Sequence, residues 1–289
     1  MASKQEQEER ELAFKNRIIY SLPVKLGFWI DEFALREDRI FFMEYKKQHC
    51  ELYKQKTRKM YRNVLRSTSL VVDAPYVLFG VNYQLRAPDV ISNNAKSLCI
   101  SGVMDERDIL TAQHFQHGCT ISASPHRTPV VRNTFMLRGP DFNKVGKQVV
   151  YGENVLMQII ETHDQKPLFV QCENMTTDTC GGHLPVRLTK SPDAYCRFKF
   201  FHWNPQKRRK TMGTTFKPET RVIIQHTASG RNLAVIPKMR FPTFYGTECM
   251  VTCQTFQDSH KLETAENFWH VISGDTYIRK EKGSNAARK

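Results

Sequence analysis

The sequence predicts a mainly β protein: a β-trefoil of three four-strand repeats, preceded by a long N-terminal α-helix. Short apolar runs with odd-even alternation, separated by turn residues, fill the chain after Pro75, and this texture is typical of strands. The runs recur in the same order three times, which indicates an internal repeat. Before Pro75, a long stretch without Gly or Pro carries apolar residues at helical spacing.

The helix is predicted from Ile30 to Leu65. Its apolar residues step by four and seven positions and would share one face: Ile30, Ala34, Phe41, Tyr45 and Leu52. Acidic residues come early and basic residues late, which suits the helix macrodipole. The late basic residues include Arg58, Lys59, Arg62 and Arg66. The apolar seam is predicted to dock on the β-body, which leaves the cationic face for a partner.

The three copies are aligned by residues that hold the same place in each. Their first strands contain Tyr83, Met157 and Ile224, and their second strands contain Leu98, Leu168 and Leu233. Their fourth strands contain Phe135, Phe198 and Phe268. A four-strand unit cannot bury its apolar face alone, whereas three related units can close a barrel around one core. A β-sandwich with chance alternation is the alternative architecture.

The sequence predicts four parts along the chain. Residues 1–22 are a polar extension, 23–70 hold the basic helix, 71–275 form the β-trefoil-like domain and 276–289 are a basic tail. Within the domain the repeats cover about 76–140, 147–204 and 216–275. Two inserts are predicted between strands: a short helix at 104–115, and an exposed basic loop formed by Lys207, Arg208, Arg209 and Lys210.

Composition limits the function classes. The 289 residues carry 43 Lys and Arg against 29 Asp and Glu, a formal net charge of +14, which favours acidic partners such as nucleic acid, an anionic membrane or an acidic protein polymer. A solvated basic surface without a specific partner is the alternative. No stretch reaches the roughly 20 apolar residues that cross a bilayer, and we expect no membrane association. The eight cysteines form no CxxC pair; we expect them to be reduced and mostly buried.

Catalytic motifs are missing from the sequence. It contains no GxGxxG, GxxxxGK[ST], HExxH or GxSxG pattern, so we predict no enzyme activity, catalytic residue, cofactor or metal site. His114 and His117 are interpreted as a solvated loop pair, and Cys249 and Cys253 as small core residues on one strand face. His226 precedes a turn sequence, and its side chain is expected to bond the turn backbone in preference to a ligand.

Nucleic-acid binding requires basic residues interleaved with aromatic ones on one face. Tyr61 lies within the basic part of the helix, and Trp203 lies near the basic run that begins at Lys207. Neither segment matches a recognised RNA- or DNA-binding module, and we do not expect nucleic acid as a partner.

Specific segments resemble known families. The third copy, VIIQHTASGRNLAV…GTECMVTCQ…NFWHVISG, resembles a MIR-type β-trefoil repeat. Over residues 24–275 the chain resembles the cilia- and flagella-associated protein 161 family of microtubule inner proteins. That resemblance rests on VKLGFW, TPVVRNTFML, VVYGENVLM and FYGTECMVTCQTFQDSHKLETAENFWHVISG. Its most specific part is the 258–261 segment DSHK together with Asn267 and Trp269.

The resemblance implies a structural protein of the ciliary or flagellar axoneme, without catalysis or cofactor. It implies binding to the α/β-tubulin lattice and to other microtubule inner proteins on the luminal wall of the doublet A-tubule, within the cytoplasmic cytoskeleton. The candidate partner contacts are the two basic groups: Arg58, Lys59, Arg62, Arg66, Lys207, Arg208, Arg209 and Lys210. The alternative function is a MIR-like binding module for a glycan or a peptide.

Overall fold

The structure, a computed structural model, describes residues 29–88, 90, 97–162, 165–173, 183–275 and 277. The predicted extension at 1–22 and, except for Tyr277, the predicted tail at 276–289 lie outside these residues. The chain divides into two compact units, Met1–Lys56 and Thr57–Lys289. The domain boundaries drawn from the sequence stay predictions.

The helices of the described residues are α1 (Trp29–Gln48), α2 (Tyr53–Val64), α3 (Glu106–Thr111) and α4 (Pro205–Thr211). None of these helices combines the length and the apolar character that spanning a bilayer requires. The short helix predicted within residues 104–115 is confirmed as α3. Asp105 is its N-cap, and the Asp105 backbone N–H donates to the Asp108 carboxylate at 3.0 Å, one half of a capping box.

The single helix predicted from Ile30 to Leu65 is wrong, because the chain breaks between α1 and α2. Cys50 has a φ of 56°, a left-handed conformation that a continuing helix cannot contain. The Glu51 N–H turns back to the Lys46 carbonyl at 2.8 Å, which satisfies one of the free carbonyls at the end of α1. Cys50 is neither Gly nor Asn, so the sequence lacked the usual signal for this stop.

Twelve strands follow α2 in the described residues. They are β1 (Asn82–Ala87), β2 (Leu98–Val103), β3 (Thr120–Ser124), β4 (Phe135–Arg138), β5 (Asn154–Ile159), β6 (Leu168–Cys172), β7 (Leu184–Thr189), β8 (Phe198–His202), β9 (Arg221–His226), β10 (Leu233–Thr243), β11 (Gly246–Cys253) and β12 (Phe268–Ile272). The mainly β character is therefore confirmed.

All twelve strands belong to one antiparallel sheet that closes on itself. Strand β1 pairs with β4, β4 with β5 and β5 with β8. Strand β8 then pairs with β9, β9 with β12, and β12 returns to β1. The remaining strands form the hairpins β2–β3, β6–β7 and β10–β11, and these join one another through pairings of β11 with β3 and β7, and of β3 with β7.

This topology corrects the predicted β-trefoil of three four-strand repeats. Hydrogen bonding is not confined to the predicted units, because strands of different copies also pair, both around the ring and among the three hairpins. The fold is a closed antiparallel β-barrel made by one continuous sheet. The spacing of apolar residues located the strands, but spacing carries no information about which strand exchanges hydrogen bonds with which.

The residues used to align the copies do lie on corresponding strands. Leu98, Leu168 and Leu233 begin β2, β6 and β10, and the three aligned phenylalanines begin β4, β8 and β12. Tyr83, Met157 and Ile224 lie inside β1, β5 and β9, and all three are fully buried. Apart from the half-buried Phe268, these residues belong to one continuous apolar core, so alternation identified the inward-facing positions.

Candidate functional site

The basic face of α2 is the first predicted contact surface. Met60 and Val64 are the buried residues of this helix, and they lie one turn apart on the side that faces the barrel. Arg58, Lys59 and Arg62 are exposed and have no ion-pair partner within the described part of the chain. The predicted apolar seam, from Ile30 to Leu52, lies before this part of α2, so its docking on the β-body stays a prediction, whereas these basic residues of α2 are exposed.

Contacts with the β10–β11 hairpin hold this part of α2 in place. The Tyr61 hydroxyl donates to the Phe244 carbonyl at 2.5 Å, and its ring meets Tyr245 edge to face at 5.8 Å between centroids. The Tyr245 hydroxyl donates to the Met60 sulfur at 3.0 Å. Asn63 donates to the Gln113 carbonyl at 3.1 Å. The cationic residues thus project from a helix that is fixed on the barrel.

Arg66 differs from the other basic residues near α2. It lies beyond the end of the helix and forms an ion pair with Glu161 at 2.5 Å, with its side chain 62% exposed. Its charge is therefore partly neutralised within the chain, and we regard Arg66 as a weaker candidate contact than Arg58, Lys59 or Arg62.

The second basic group lies on a helix, α4, and not in the predicted loop. The local sequence explains the difference, because Asn204 caps the helix by accepting the Gln206 N–H at 2.9 Å and Pro205 occupies the first turn. Lys207, Arg209 and Lys210 are exposed. The dipeptide Asn204-Pro205 is a sequence signal for a helix start at this position.

Arg208 is a structural residue within this group. Its Nη1 lies 2.8 Å from the Glu263 carboxylate, whose side chain is only 5% exposed, and its Nε donates to the His202 carbonyl at 3.0 Å. These contacts attach α4 to the turn before β12 and to the end of β8. The candidate contacts of α4 are therefore reduced to Lys207, Arg209 and Lys210.

The residues that carry the most specific resemblance hold the fold. Asn267 and Trp269 are fully buried, and both donate to the Leu233 carbonyl, at 3.2 and 2.9 Å. The Asp258 carboxylate accepts the backbone N–H groups of His260 and Leu262 at 2.8 and 2.9 Å. These side chains fix the end of the sheet, and a buried Trp269 offers no surface on which a glycan could stack.

The histidine pair at 114 and 117 is only partly as predicted. His117 is exposed, whereas His114 is half-buried and its Nε2 lies 3.0 Å from the Asn63 amide nitrogen. His114 therefore helps to attach α2 to the segment that follows α3. The expectation that the cysteines are mostly buried is confirmed for the described residues, since six of their seven cysteines are buried.

A cluster that the sequence did not reveal lies inside the barrel. Cys172, His226 and Cys253 are buried, and their ligand atoms lie within 4.8 Å of one another. The hydrogen bond with the Cys253 thiol lowers the pKa of the Cys172 thiol, and burial raises the pKa of Cys253. The His226 side chain also bonds the turn backbone as predicted, since its Nδ1 accepts the Ser229 N–H at 3.3 Å, and Nδ1 lies 2.8 Å from the Ser229 hydroxyl. The cluster could not be predicted from the sequence, because its three residues are far apart in the chain and lie on separate strands.

A cavity of about 280 Å³ lies beside the α2–hairpin contact. Phe241, Pro242 and Phe244 from the hairpin form its apolar side, and Asp105 and Glu106 at the start of α3 form its acidic side. The cavity is open and combines an apolar wall with two acidic residues.

Comparisons with known proteins identify the family. A family model described as "Cilia- and flagella-associated protein 161-like domain" matches residues 56–180 and 176–274. The mouse (Mus musculus) cilia- and flagella-associated protein 161 is 28% identical over 269 residues, which covers 89% of each chain. The bovine (Bos taurus) protein is 25% identical over 267 residues, covering 89% of this chain and 83% of its own.

Among solved structures, the crystal structure of the SDF2-like protein from Arabidopsis thaliana superposes with a TM-score of 0.46 at 12% identity, covering 68% of this chain and 94% of that chain. The family match spans most of the barrel and includes the basic residues of α2 and α4. This chain therefore belongs to the cilia- and flagella-associated protein 161 family, a family of proteins associated with cilia and flagella.

Proposed function

We propose that this chain is a structural, non-catalytic microtubule inner protein of the ciliary or flagellar axoneme. It binds the tubulin lattice and neighbouring inner proteins on the luminal wall of the doublet A-tubule and stabilises that wall. The observation that carries the proposal is the cationic face of α2, where Arg58, Lys59 and Arg62 are exposed and have no ion-pair partner among the described residues, on a helix held on the barrel. Membership of a cilia- and flagella-associated family supports the cellular setting.

Charge alone would give weak binding. An exposed ion pair contributes only about 0–1 kcal/mol, so three residues such as Arg58, Lys59 and Arg62 give a useful affinity only when they act together on a matching acidic surface. The anchoring of α2 by Tyr61 and Tyr245 provides this, because it fixes the three side chains relative to one another and lowers the entropy lost on binding.

The second helix supplies a separate contact. Lys207, Arg209 and Lys210 lie on α4, which is attached to β8 and to the turn before β12, whereas α2 is attached to the β10–β11 hairpin. Two basic helices on different elements allow the barrel to bridge two acidic surfaces, such as tubulin and a neighbouring inner protein. A protein that bridges two neighbours stabilises a lattice through its contacts, and this role requires neither catalysis nor movement.

The proposal is tested by expressing the tagged chain in ciliated cells that lack the endogenous protein. Three forms are compared: the wild type, a triple variant Arg58→Glu, Lys59→Glu and Arg62→Glu, and a control triple variant. The control carries Arg107→Glu, Lys190→Glu and Lys217→Glu, which are exposed positions outside α2 and α4 and give the same change in charge. Isolated axonemes are then washed with increasing salt, and the retained chain is quantified.

We expect the wild type and the control to remain with the doublets at salt concentrations that remove outer-surface proteins. The α2 variant should be retained several-fold less. Extraction of the wild type together with outer-surface proteins would overturn the luminal placement. Equal loss of both triple variants would show that total charge, and not the face of α2, controls binding.

A further inference from the structure

Three strands bring two thiols and one imidazole to the same point inside the barrel. Cys172 ends β6, His226 ends β9 and Cys253 ends β11. Their exposed fractions are 0%, 1% and 0%, and each offers one ligand atom, with all three atoms within 4.8 Å of one another. Strand β7 fixes the two cysteines, since Cys172 pairs with Val186 and Cys253 pairs with Leu184.

We propose that Cys172, His226 and Cys253 bind one Zn²⁺ ion as a structural site. Two thiolates and an imidazole are ligands that zinc prefers, and tetrahedral Zn–S and Zn–N bonds of about 2.3 and 2.0–2.1 Å place ligand atoms roughly 3.3–3.8 Å apart. This separation lies inside the 4.8 Å limit found here. Both thiols are free, so neither is committed to a disulfide.

The hydrogen bonds of His226 determine which of its two ring nitrogens can bind the ion. Its Nε2 lies 2.9 Å from the Tyr195 carbonyl, and a carbonyl only accepts, so Nε2 carries the proton and Nδ1 carries the lone pair. A metal-bound histidine is commonly oriented in this way, by a carbonyl that accepts from its other nitrogen. The Nδ1 atom accepts the Ser229 N–H at 3.3 Å, a contact that the ion would replace.

A fourth ligand is needed for a closed tetrahedral site. The Ser229 hydroxyl lies 2.8 Å from His226 Nδ1, which is close enough for its oxygen to enter the coordination shell, and a water molecule could take the same position. The ion would then join β6, β9 and β11 at one point. Since zinc would bind the folded chain and not the unfolded one, binding would raise the thermal stability.

The test uses the purified full chain, first stripped with a chelator and then loaded with Zn²⁺ or Co²⁺. After gel filtration we expect about one Zn²⁺ per chain by elemental analysis and a higher melting temperature with zinc than without. Co²⁺ should give a thiolate-to-metal charge-transfer band and the visible absorption of tetrahedral Co²⁺. This spectrum requires no variant, so the test does not depend on a mutant that folds.

Variants locate the ion. Cys172→Ser and Cys253→Ser should lose stoichiometric zinc and the charge-transfer band, whereas Cys249→Ser should keep both. Cys249 is the matched control because it is a buried cysteine on the same strand as Cys253 and lies outside the cluster. A wild type that shows no retained zinc, no cobalt–thiolate band and no zinc-dependent melting shift would overturn the site, as would cluster variants that retain as much metal as the wild type.

Discussion

At the scale of single residues, Arg132 and Glu248 form an ion pair that is sealed from solvent. Their side chains are 1% and 0% exposed, and Arg132 Nη2 lies 2.8 Å from both carboxylate oxygens. Ser122 donates to the same carboxylate at 2.5 Å, and the guanidinium lies 3.7 Å from the centre of the Tyr245 ring. This network links β3 and β11 beneath the residues that hold α2.

We expect Glu248→Ala to lower the free energy of unfolding by about 3–5 kcal/mol, because it leaves the buried Arg132 guanidinium without its counter-charge. Chemical denaturation followed by circular dichroism measures the change. The matched control is Glu161→Ala, which removes the exposed ion pair with Arg66 and should cost only about 0–1 kcal/mol. Equal losses in the two variants would contradict the structural importance assigned to the buried pair.

At the scale of elements, the contact between α2 and the β10–β11 hairpin decides whether the cationic face is presented rigidly. This contact rests on Tyr61, Tyr245 and the buried Met60. The hairpin is longer than β2–β3 or β6–β7, and its register shifts between Ile236 and Arg240. The extra residues of a bulge bend a strand, and the extended tip provides the surface on which α2 packs.

Tyr61→Phe should weaken this contact without emptying the space that the ring fills. We expect a loss of about 1 kcal/mol, the usual net value of one hydrogen bond, and faster amide hydrogen exchange in residues 57–64. Tyr76→Phe is the control, since the half-buried Tyr76 forms no side-chain hydrogen bond with the residues that the structure describes. Unchanged exchange in α2 together with an unchanged stability would show that Tyr61 does not hold the helix.

At the scale of the whole molecule, the closed barrel positions two basic helices, and the full chain carries a formal net charge of +14. A ring of strands has no free edge, and interaction is therefore left to the helices, the hairpins and the loops. A body of this kind suits permanent packing among other proteins.

The sequence predicted the strands well and their assembly poorly. Inward-facing residues such as Tyr83, Met157 and Ile224 were identifiable because strand side chains alternate between faces. The pairing of β11 with β3 and β7 depends on contacts between distant segments, which local periodicity does not encode. The stop at Cys50 was missed for a different reason, since its left-handed conformation is imposed by the turn and not by a glycine.

The sequence indicated which basic residues are exposed, but it did not indicate which of them form ion pairs within the chain. The exposure of Arg58, Lys59 and Arg62 follows from their helical positions relative to Met60 and Val64. The internal partners of Arg66 and Arg208, namely Glu161 and Glu263, are remote in sequence, so no spacing rule could separate these structural residues from the free ones. The cluster of Cys172, His226 and Cys253 could not be predicted for the same reason, since its residues are also remote from one another in sequence.

The most direct test of the central claim, that the chain binds the luminal wall of the A-tubule through its basic helices, is a density map of doublet microtubules from cilia that contain this protein. We expect density for the barrel inside the A-tubule, with Arg58, Lys59 and Arg62 facing acidic side chains of tubulin or of a neighbouring inner protein. Density for the chain on the outer surface of the doublet, or inside it with this face of α2 turned to solvent, would overturn the proposed binding.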